Sequence, residues 1–298
     1  MMIKTLESEK EVSLKAKLGD YSQLIKFRLS FLVVFSSMIA YIYAGGIILP
    51  FWKALFLILG GFLVTGSANS INQLMERDLD KLMDRTKSRP LPSRRMSSLE
   101  AISASFFMGS MGLTLLYLIN PLTSIMGALA LILYAFVYTP MKQVTPFSVF
   151  MGAIPGALSP VLGYTAATGL LSFEPGVFFL IQFVWQFPHF WAIAWVVDDD
   201  YARAGFHLLP SEGGRDRNSA IWIFATALIL IPISLLPFYT HMGGYFYAIS
   251  ALVFGLFFLY QSVNLLFTCS VKSAQRLMFA SFFYLPLVQL ALLINKLF

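Results

Sequence analysis

An all-α, polytopic membrane bundle of nine transmembrane helices is the fold class this sequence predicts, on three observations. Hydrophobic residues fill 58% of the 298 positions and charged residues only 12%, about half of the roughly 25% found in an average soluble domain. The apolar residues, 29 Phe among them, are gathered in repeated blocks of about 20, the length a helix needs to cross a hydrocarbon core of about 30 Å. The Lys and Arg residues are concentrated in alternate connections between those blocks. Helices are the simplest spanning structure because they satisfy their own backbone polar groups inside lipid.

The chain begins with an arm, residues 1–28, that mixes Lys4, Lys10, Lys15, Lys17, Lys26 and Arg28 with Glu7, Glu9, Glu11 and Asp20. It lacks the apolar segment of a cleaved signal, and its acids argue against a mitochondrial presequence. The first span, 29–49, opens after Arg28, and Pro50 separates it from the second, 53–75, which stops at the charges beginning with Glu76. Spans at 99–119 and 122–139 are divided by Asn120-Pro121. A short connection, 140–146, carries Lys142 and leads to the fifth span, 147–169. The sixth, 176–197, ends on Asp198, and the seventh, 219–239, starts after Arg217. A Gly243-Gly244 turn precedes the eighth, 244–268, and a turn holding Lys272 precedes the ninth, 275–295. Residues 29–298 therefore read as a single transmembrane domain. This topology puts 19 of the 21 Lys and Arg residues on one side, leaving only Lys53 and Lys296 opposite. Basic segments stay cytoplasmic, so the N-terminus is expected inside and the C-terminus outside. The net charge of +6 then needs no nucleic-acid partner, because anionic lipids attract a basic cytoplasmic face. The one cysteine, Cys269, excludes an intramolecular disulfide and a thiolate metal cluster.

Polar residues inside these spans mark the chemistry. If the second helix continues beyond the lipid core, Asn69, Asn72, Glu76 and Asp80 fall at steps of three or four and share one face, with Asp78 pointing elsewhere. Stacked carboxylates repel and call for a cation. Oxygen-only ligands suit Mg²⁺, which takes one or two protein carboxylates and completes its shell with water and phosphate. Arg85, Lys87 and Arg89 follow, with charge suited to an anionic oxygen group. A second acidic cluster, Asp198-Asp199-Asp200, ends the sixth span, and Tyr201 and Arg203 beside it are placed to orient phosphate oxygens. Both clusters belong to the same membrane side, so two facing carboxylate sets are expected to clamp a diphosphate through Mg²⁺. Lys142, on that side too, is either a further diphosphate contact or a topology-setting lysine. Within the sixth span, Trp185-Gln186-Phe-Pro188-His189-Phe190-Trp191 sets polar groups at membrane depth. His189 there binds a flat acceptor, binds a metal, moves a proton, or makes an interhelical hydrogen bond. Gly152, Gly156, Pro160 and Gly163 of the fifth span are read as permitting close helix packing.

Together these motifs resemble the UbiA-type intramembrane prenyltransferases, and within them the branch that prenylates heme. The wider resemblance rests on Asn72, Glu76 and Asp80. The narrower one rests on Met83-Asp-Arg85-Thr86-Lys-Ser-Arg89-Pro90, Trp185-Gln-Phe-Pro188-His189-Phe190, and Asp200-Tyr201-Ala-Arg-Ala204-Gly205 leading to Leu208-Leu209-Pro210. The resemblance implies helices around a central cavity, Mg²⁺-dependent binding of farnesyl diphosphate, and farnesyl transfer to a vinyl group of heme b, which is a substrate and not a resident cofactor. It gives Asn72, Glu76 and Asp80 the first metal–diphosphate motif, Arg85 and Arg89 its phosphate contacts, Asp200 with Tyr201 the second motif, and His189 a place in the heme pocket. Whether Asp199 or Asp200 binds metal is open. It also implies a multi-pass protein of the bacterial inner membrane, with heme-pathway or terminal-oxidase assembly proteins as partners. The sequence departs from the pattern at Glu76 for a commoner Asp, at Phe27 within a usual Lys-Pro-Arg, at Gln143 for Arg, and at Phe206-His207 for Pro-Met. Prenyl transfer to a phenolic quinone precursor and a membrane transporter are the rival functions.

Overall fold

The computed structural model describes residues 14–46 and 50–298, so Lys4, Glu7, Glu9, Lys10 and Glu11 of the arm lie outside the described residues. Among the described residues, nine helices are long and apolar enough to cross a membrane. They are α1 (Phe27–Gly45), α2 (Phe51–Met75), α3 (Ser98–Ile119), α4 (Pro121–Met141), α5 (Ser148–Thr168), α6 (Phe173–Val196), α7 (Arg217–Tyr239), α8 (Tyr245–Thr268) and α9 (Val271–Leu297). A shorter helix, Leu14–Leu24, precedes α1, and no strand occurs among the described residues.

Local chemistry explains the breaks. Ser97 accepts a hydrogen bond from the Glu100 N–H at 3.0 Å and starts α3 with a Ser-x-x-Glu box. Asn120 does the same for Thr123 at 2.9 Å, with Pro121 in the first helical position of α4. Asp216 caps α7 through the Ser219 N–H at 2.7 Å. Gly169 ends α5 with φ 70°, a left-handed conformation that glycine adopts without steric cost. Residues 133–138 of α4 wind as a π-turn, and the Thr139 N–H reaches back five residues to the Tyr134 carbonyl. Pro140, which has no N–H to give, follows at once. The Thr139 hydroxyl is thereby delivered to Asn72 on α2, 3.2 Å from its Nδ2.

The small residues of α5 set the packing, as the sequence suggested. Gly163 lies directly on the backbone carbonyl of Ser37 in α1, and the Ser37 hydroxyl donates to the Ser159 carbonyl at 2.7 Å. Gly152 faces Tyr138, whose ring a Cβ would meet at 2.6 Å, and Gly156 faces Gln186. One apolar core, around Trp195, Phe206, Tyr247 and Phe258, joins α6 to α9. A second, around Tyr41, Leu57 and Leu116, joins α1, α2 and α3. Between them a cavity of about 250 Å³ is walled by α1, α2, α4, α5, α6 and α9.

Four of the five basic segments assigned to one membrane side, the arm and the 76–98, 140–146 and 198–218 connections, are joined by ion pairs at one end of the bundle. Arg95 pairs with Asp20 at 2.9 Å, Lys17 with Glu100 at 2.9 Å, Lys142 with Glu76 at 2.7 Å, and Arg203 with Asp84. At the other end, the Gly244 N–H donates to Asn295 Oδ1 at 2.7 Å and Lys296 lies 5.4 Å from the Tyr43 ring centre.

Candidate active site

The site is built on the C-terminal end of α2. Asn69, Asn72, Gln73 and Glu76 are all buried there. α2 stops at Glu76 and does not run on unbroken, but a short helix, Arg77–Asp80, resumes at once. The Asp80 N–H bonds to the Glu76 carbonyl at 2.7 Å, which keeps the four-residue step and the common face. Gln73 anchors this end by donating to the carbonyls of Gln23 and Leu24 at 2.9 and 2.8 Å.

Three polar groups on that face, Asn72, Glu76 and Asp80, each meet a basic side chain. Lys142 Nζ stands 2.7 and 2.9 Å from the two Glu76 oxygens. It also lies 4.8 Å from the Phe206 ring centre and 5.8 Å from that of Tyr138. Burial works against the Lys142 ammonium, but the Glu76 carboxylate outweighs it and holds the group above the ordinary lysine value. Arg89 Nη1 pairs with Asp80 Oδ2 at 2.8 Å. Lys26 Nζ donates to Asn72 Oδ1 at 3.0 Å. Burial, reinforced by the charges of Arg89 and Lys142, pulls the Lys26 amine down to about 7. A polyanion arriving here would restore its charge.

The second acidic cluster comes up against the connection that carries the first. Asp200 accepts the backbone N–H groups of Asp84 and Arg85, both at 3.0 Å, and pairs with Arg203 at 3.0 Å. Arg203 also holds Asp84. Asp200 and Arg203 thus tie the 198–218 connection to the 76–98 connection. Asp199 is turned to Arg215, 3.0 Å away, and is largely exposed. Asp198 lies 3.8 Å from the same arginine, with its carboxyl raised by burial. Among the described residues no three Asp, Glu, His or Cys side chains converge on one point. What the second connection does bring to the site is aromatic. Tyr201 receives the Arg85 guanidinium 5.8 Å from its ring centre and packs edge-on against Phe206 at 5.9 Å.

The cavity opens beside this polar end. Asn69, Thr65 and Gly61 of α2 line it at successive turns, a descent of about 12 Å at 1.5 Å per residue. Trp185, Gln186, His189 and Phe190 line it from α6. His189 Nδ1 is 2.7 Å from the Ser281 hydroxyl of α9, and its ring stacks on Trp185 at 4.4 Å. The histidine therefore makes the interhelical hydrogen bond and also lines the cavity. Gln186 donates to the Ala153 carbonyl at 2.8 Å. Deeper in, Ser36, Gln182 and Gln289 form a closed network at 2.8 to 3.0 Å.

Lys26, Thr139 and Phe206 are the participants that sequence reasoning passed over, since Lys26 counted only as a topology-setting charge. Its signal was the Lys26-Phe27-Arg28 run at the start of the first span.

The oxygen donors suit Mg²⁺. Asp80 Oδ1 is buried without a hydrogen-bond partner among the described residues, and a buried, half-satisfied carboxylate beside a second one fits a cation that takes one or two protein carboxylates.

A cluster of cations and carboxylates that continues the face of Asn69 away from an apolar intramembrane cavity is the site of an intramembrane prenyltransferase. Residues 33–285 match the UbiA prenyltransferase family, and the chain belongs to it. It is 45% identical over 279 residues to the protoheme IX farnesyltransferase of Cytophaga hutchinsonii, covering 93% of this chain and 98% of that one. To the protoheme IX farnesyltransferase of Christiangramia forsetii it is 44% identical over 283 residues, 94% of each chain. In fold it is similar to a digeranylgeranylglyceryl phosphate synthase, with TM-score 0.79, 20% identity, and 94% and 99% of the two chains covered. It is also similar to a UbiA homolog from Archaeoglobus fulgidus bound to DMAPP and Mg²⁺, with TM-score 0.68, 16% identity, and 92% and 99% covered.

Proposed function

We propose that this protein transfers the farnesyl group of farnesyl diphosphate to a vinyl carbon of heme b, giving heme O and diphosphate. One observation carries the reading. Asn69 and Tyr138 line the cavity that Trp185, His189 and Phe190 also line, and the charged pairs follow directly from them: Lys142 lies 5.8 Å from the Tyr138 ring centre, and its partner Glu76 and the Asp80–Arg89 pair continue the face of Asn69. The full-length similarity to chains named protoheme IX farnesyltransferase supports heme as the acceptor.

Glu76 and Asp80, with Asn72 between the two helices' polar partners, would hold Mg²⁺. When bound, it supplies positive charge to the diphosphate as negative charge builds on its leaving oxygen. Lys142, Arg85 and Arg89 add fixed cations at the same end and orient the leaving group, and Lys26 joins them as the polyanion restores its charge. The C1–O bond breaks with its electron pair passing to diphosphate. The vinyl π pair then forms the new carbon–carbon bond, and water completes the carbon left positive, with loss of a proton. The apolar walls exclude water until that bond has formed. Asp200 and Arg203 serve by holding the 76–98 connection over the site, and His189 by presenting a flat aromatic wall to the porphyrin.

The proposed setting is the bacterial inner membrane. The arm of residues 1–28 is cytoplasmic, residues 29–298 form one domain, and the C-terminus lies outside. Heme-pathway or terminal-oxidase assembly proteins would be neighbours there. A reporter fused after Arg95 is expected inside and one after Phe298 outside; both on one side would defeat this topology. The function is tested by incubating the purified protein with farnesyl diphosphate, Mg²⁺ and heme b and measuring product mass. A product from a phenolic acceptor and none from heme b would overturn the acceptor.

A further inference from the structure

Away from the active site, a cleft of about 440 Å³ lies between the 76–98 connection and the first turn of α3. We propose that it holds the phosphate headgroup of an anionic phospholipid. Three cations line it, Arg77, Lys81 and Arg94. Asp78 pairs with Arg77 at 3.1 Å and with Lys81 at 2.6 Å, so among the described residues one carboxylate faces three positive charges and leaves a surplus of two. Glu100, in the same helical turn, is engaged by Lys17 and Tyr21 instead. The Arg77 guanidinium is fixed by its bond to the Ser98 hydroxyl at 2.9 Å. Arg94 lines the cleft and is exposed, its side chain makes no hydrogen bond or ion pair to another described residue, and its backbone is held at φ 60°. A non-glycine residue adopts that left-handed conformation only where its surroundings impose it. Here the turn places an uncommitted guanidinium at the cleft's edge.

The apolar surroundings select a lipid over free phosphate. Leu91 and Met96 form part of the cleft wall. Leu99, Ile102 and Phe106, all exposed, run down the outer face of α3 at helical spacing from the cleft. A headgroup in the cleft would lay an acyl chain along that stripe. Basic pockets at the cytoplasmic ends of transmembrane helices bind anionic headgroups in this way.

The test uses the full chain in phosphatidylcholine bilayers containing phosphatidylglycerol as the minor lipid, with native mass spectrometry counting the lipids retained. Wild type is expected to retain one phosphatidylglycerol in preference to phosphatidylcholine. Arg94→Gly removes the charge and relieves the left-handed backbone, so it should fold at least as well and lose about fivefold in that preference, the value of one interfacial charge. Arg94→Lys should keep it. Equal retention of the two lipids by wild type, or an unchanged preference in a folded Arg94→Gly, overturns the proposal. So does displacement of the lipid by millimolar inorganic phosphate, which would assign the cleft to a free anion.

Discussion

Glu76→Gln removes one charge from a pair whose side chains are only 3% and 10% exposed. Lys142 would then be a buried ammonium facing a neutral amide. Breaking a buried pair in this way costs about 3–5 kcal/mol. The Phe206 and Tyr138 rings, 4.8 and 5.8 Å from the ammonium, keep an attraction of roughly 1 kcal/mol each at most, which favours the lower end. A loss of about 3 kcal/mol is therefore expected, a hundredfold shift or more in the folding equilibrium. A second consequence has the opposite sign. The unpaired ammonium is a ready partner for an anion, so diphosphate without Mg²⁺ should stabilise Glu76→Gln more than it stabilises wild type, while Mg²⁺ should add less. Adding Lys142→Met to Glu76→Gln replaces the pair with a neutral, well-packing one and should return the unliganded stability to within about 1 kcal/mol of wild type. Turnover should stay lost. Thermal unfolding of the three proteins, with and without diphosphate and Mg²⁺, together with product formation, reads all of this. Equal unliganded stability of Glu76→Gln and wild type, or recovered turnover in the double variant, would refute the account of this pair.

Asp80→Asn keeps the shape but takes the charge from the Asp80–Arg89 pair together with the unpartnered carboxylate oxygen; Arg89, 18% exposed, still reaches solvent, so stability should fall by less than for Glu76→Gln, while turnover should fall about 100-fold or more, and unchanged Mg²⁺ dependence would remove Asp80 from the metal site. His189→Ala should weaken heme b binding about tenfold, read by porphyrin absorption, through loss of the Trp185 stack and the Ser281 bond, with farnesyl diphosphate binding retained; equal heme affinity in the folded variant would reject its acceptor role. Gly163→Ala forces a methyl onto the Ser37 carbonyl and should cost about 1–3 kcal/mol in thermal or denaturant unfolding, whereas a neutral result would contradict the close approach of α1 and α5.

The spans were legible because block length and punctuation are one-dimensional properties. So was the polar face of α2, since Asn72, Glu76 and Asp80 lie within nine residues and a helix alone brings them together. The π-turn in α4 was not legible, because Pro140 announces a break without saying that Thr139 will be swung to Asn72. Lys26 was hidden for a related reason. Its partner lies 46 residues away, and nothing in a lysine's identity announces a left-handed backbone at φ 49°. The three polar residues Ser36, Gln182 and Gln289 sit singly in apolar spans and become a network only when α1, α6 and α9 converge. The second acidic cluster shows the limit most sharply. Three consecutive aspartates read as metal ligands because a carboxylate can bind a cation, but which cation or donor it takes is settled by what stands nearest. Two backbone N–H groups and Arg203 are in reach of Asp200, and Arg215 is in reach of Asp199. Arg203 is one helical turn away, but the N–H groups come from a connection more than 100 residues earlier in the chain and Arg215 from a turn 16 residues later. An acid already satisfied by such donors has less to offer Mg²⁺ than Asp80, whose second oxygen is buried and unpartnered.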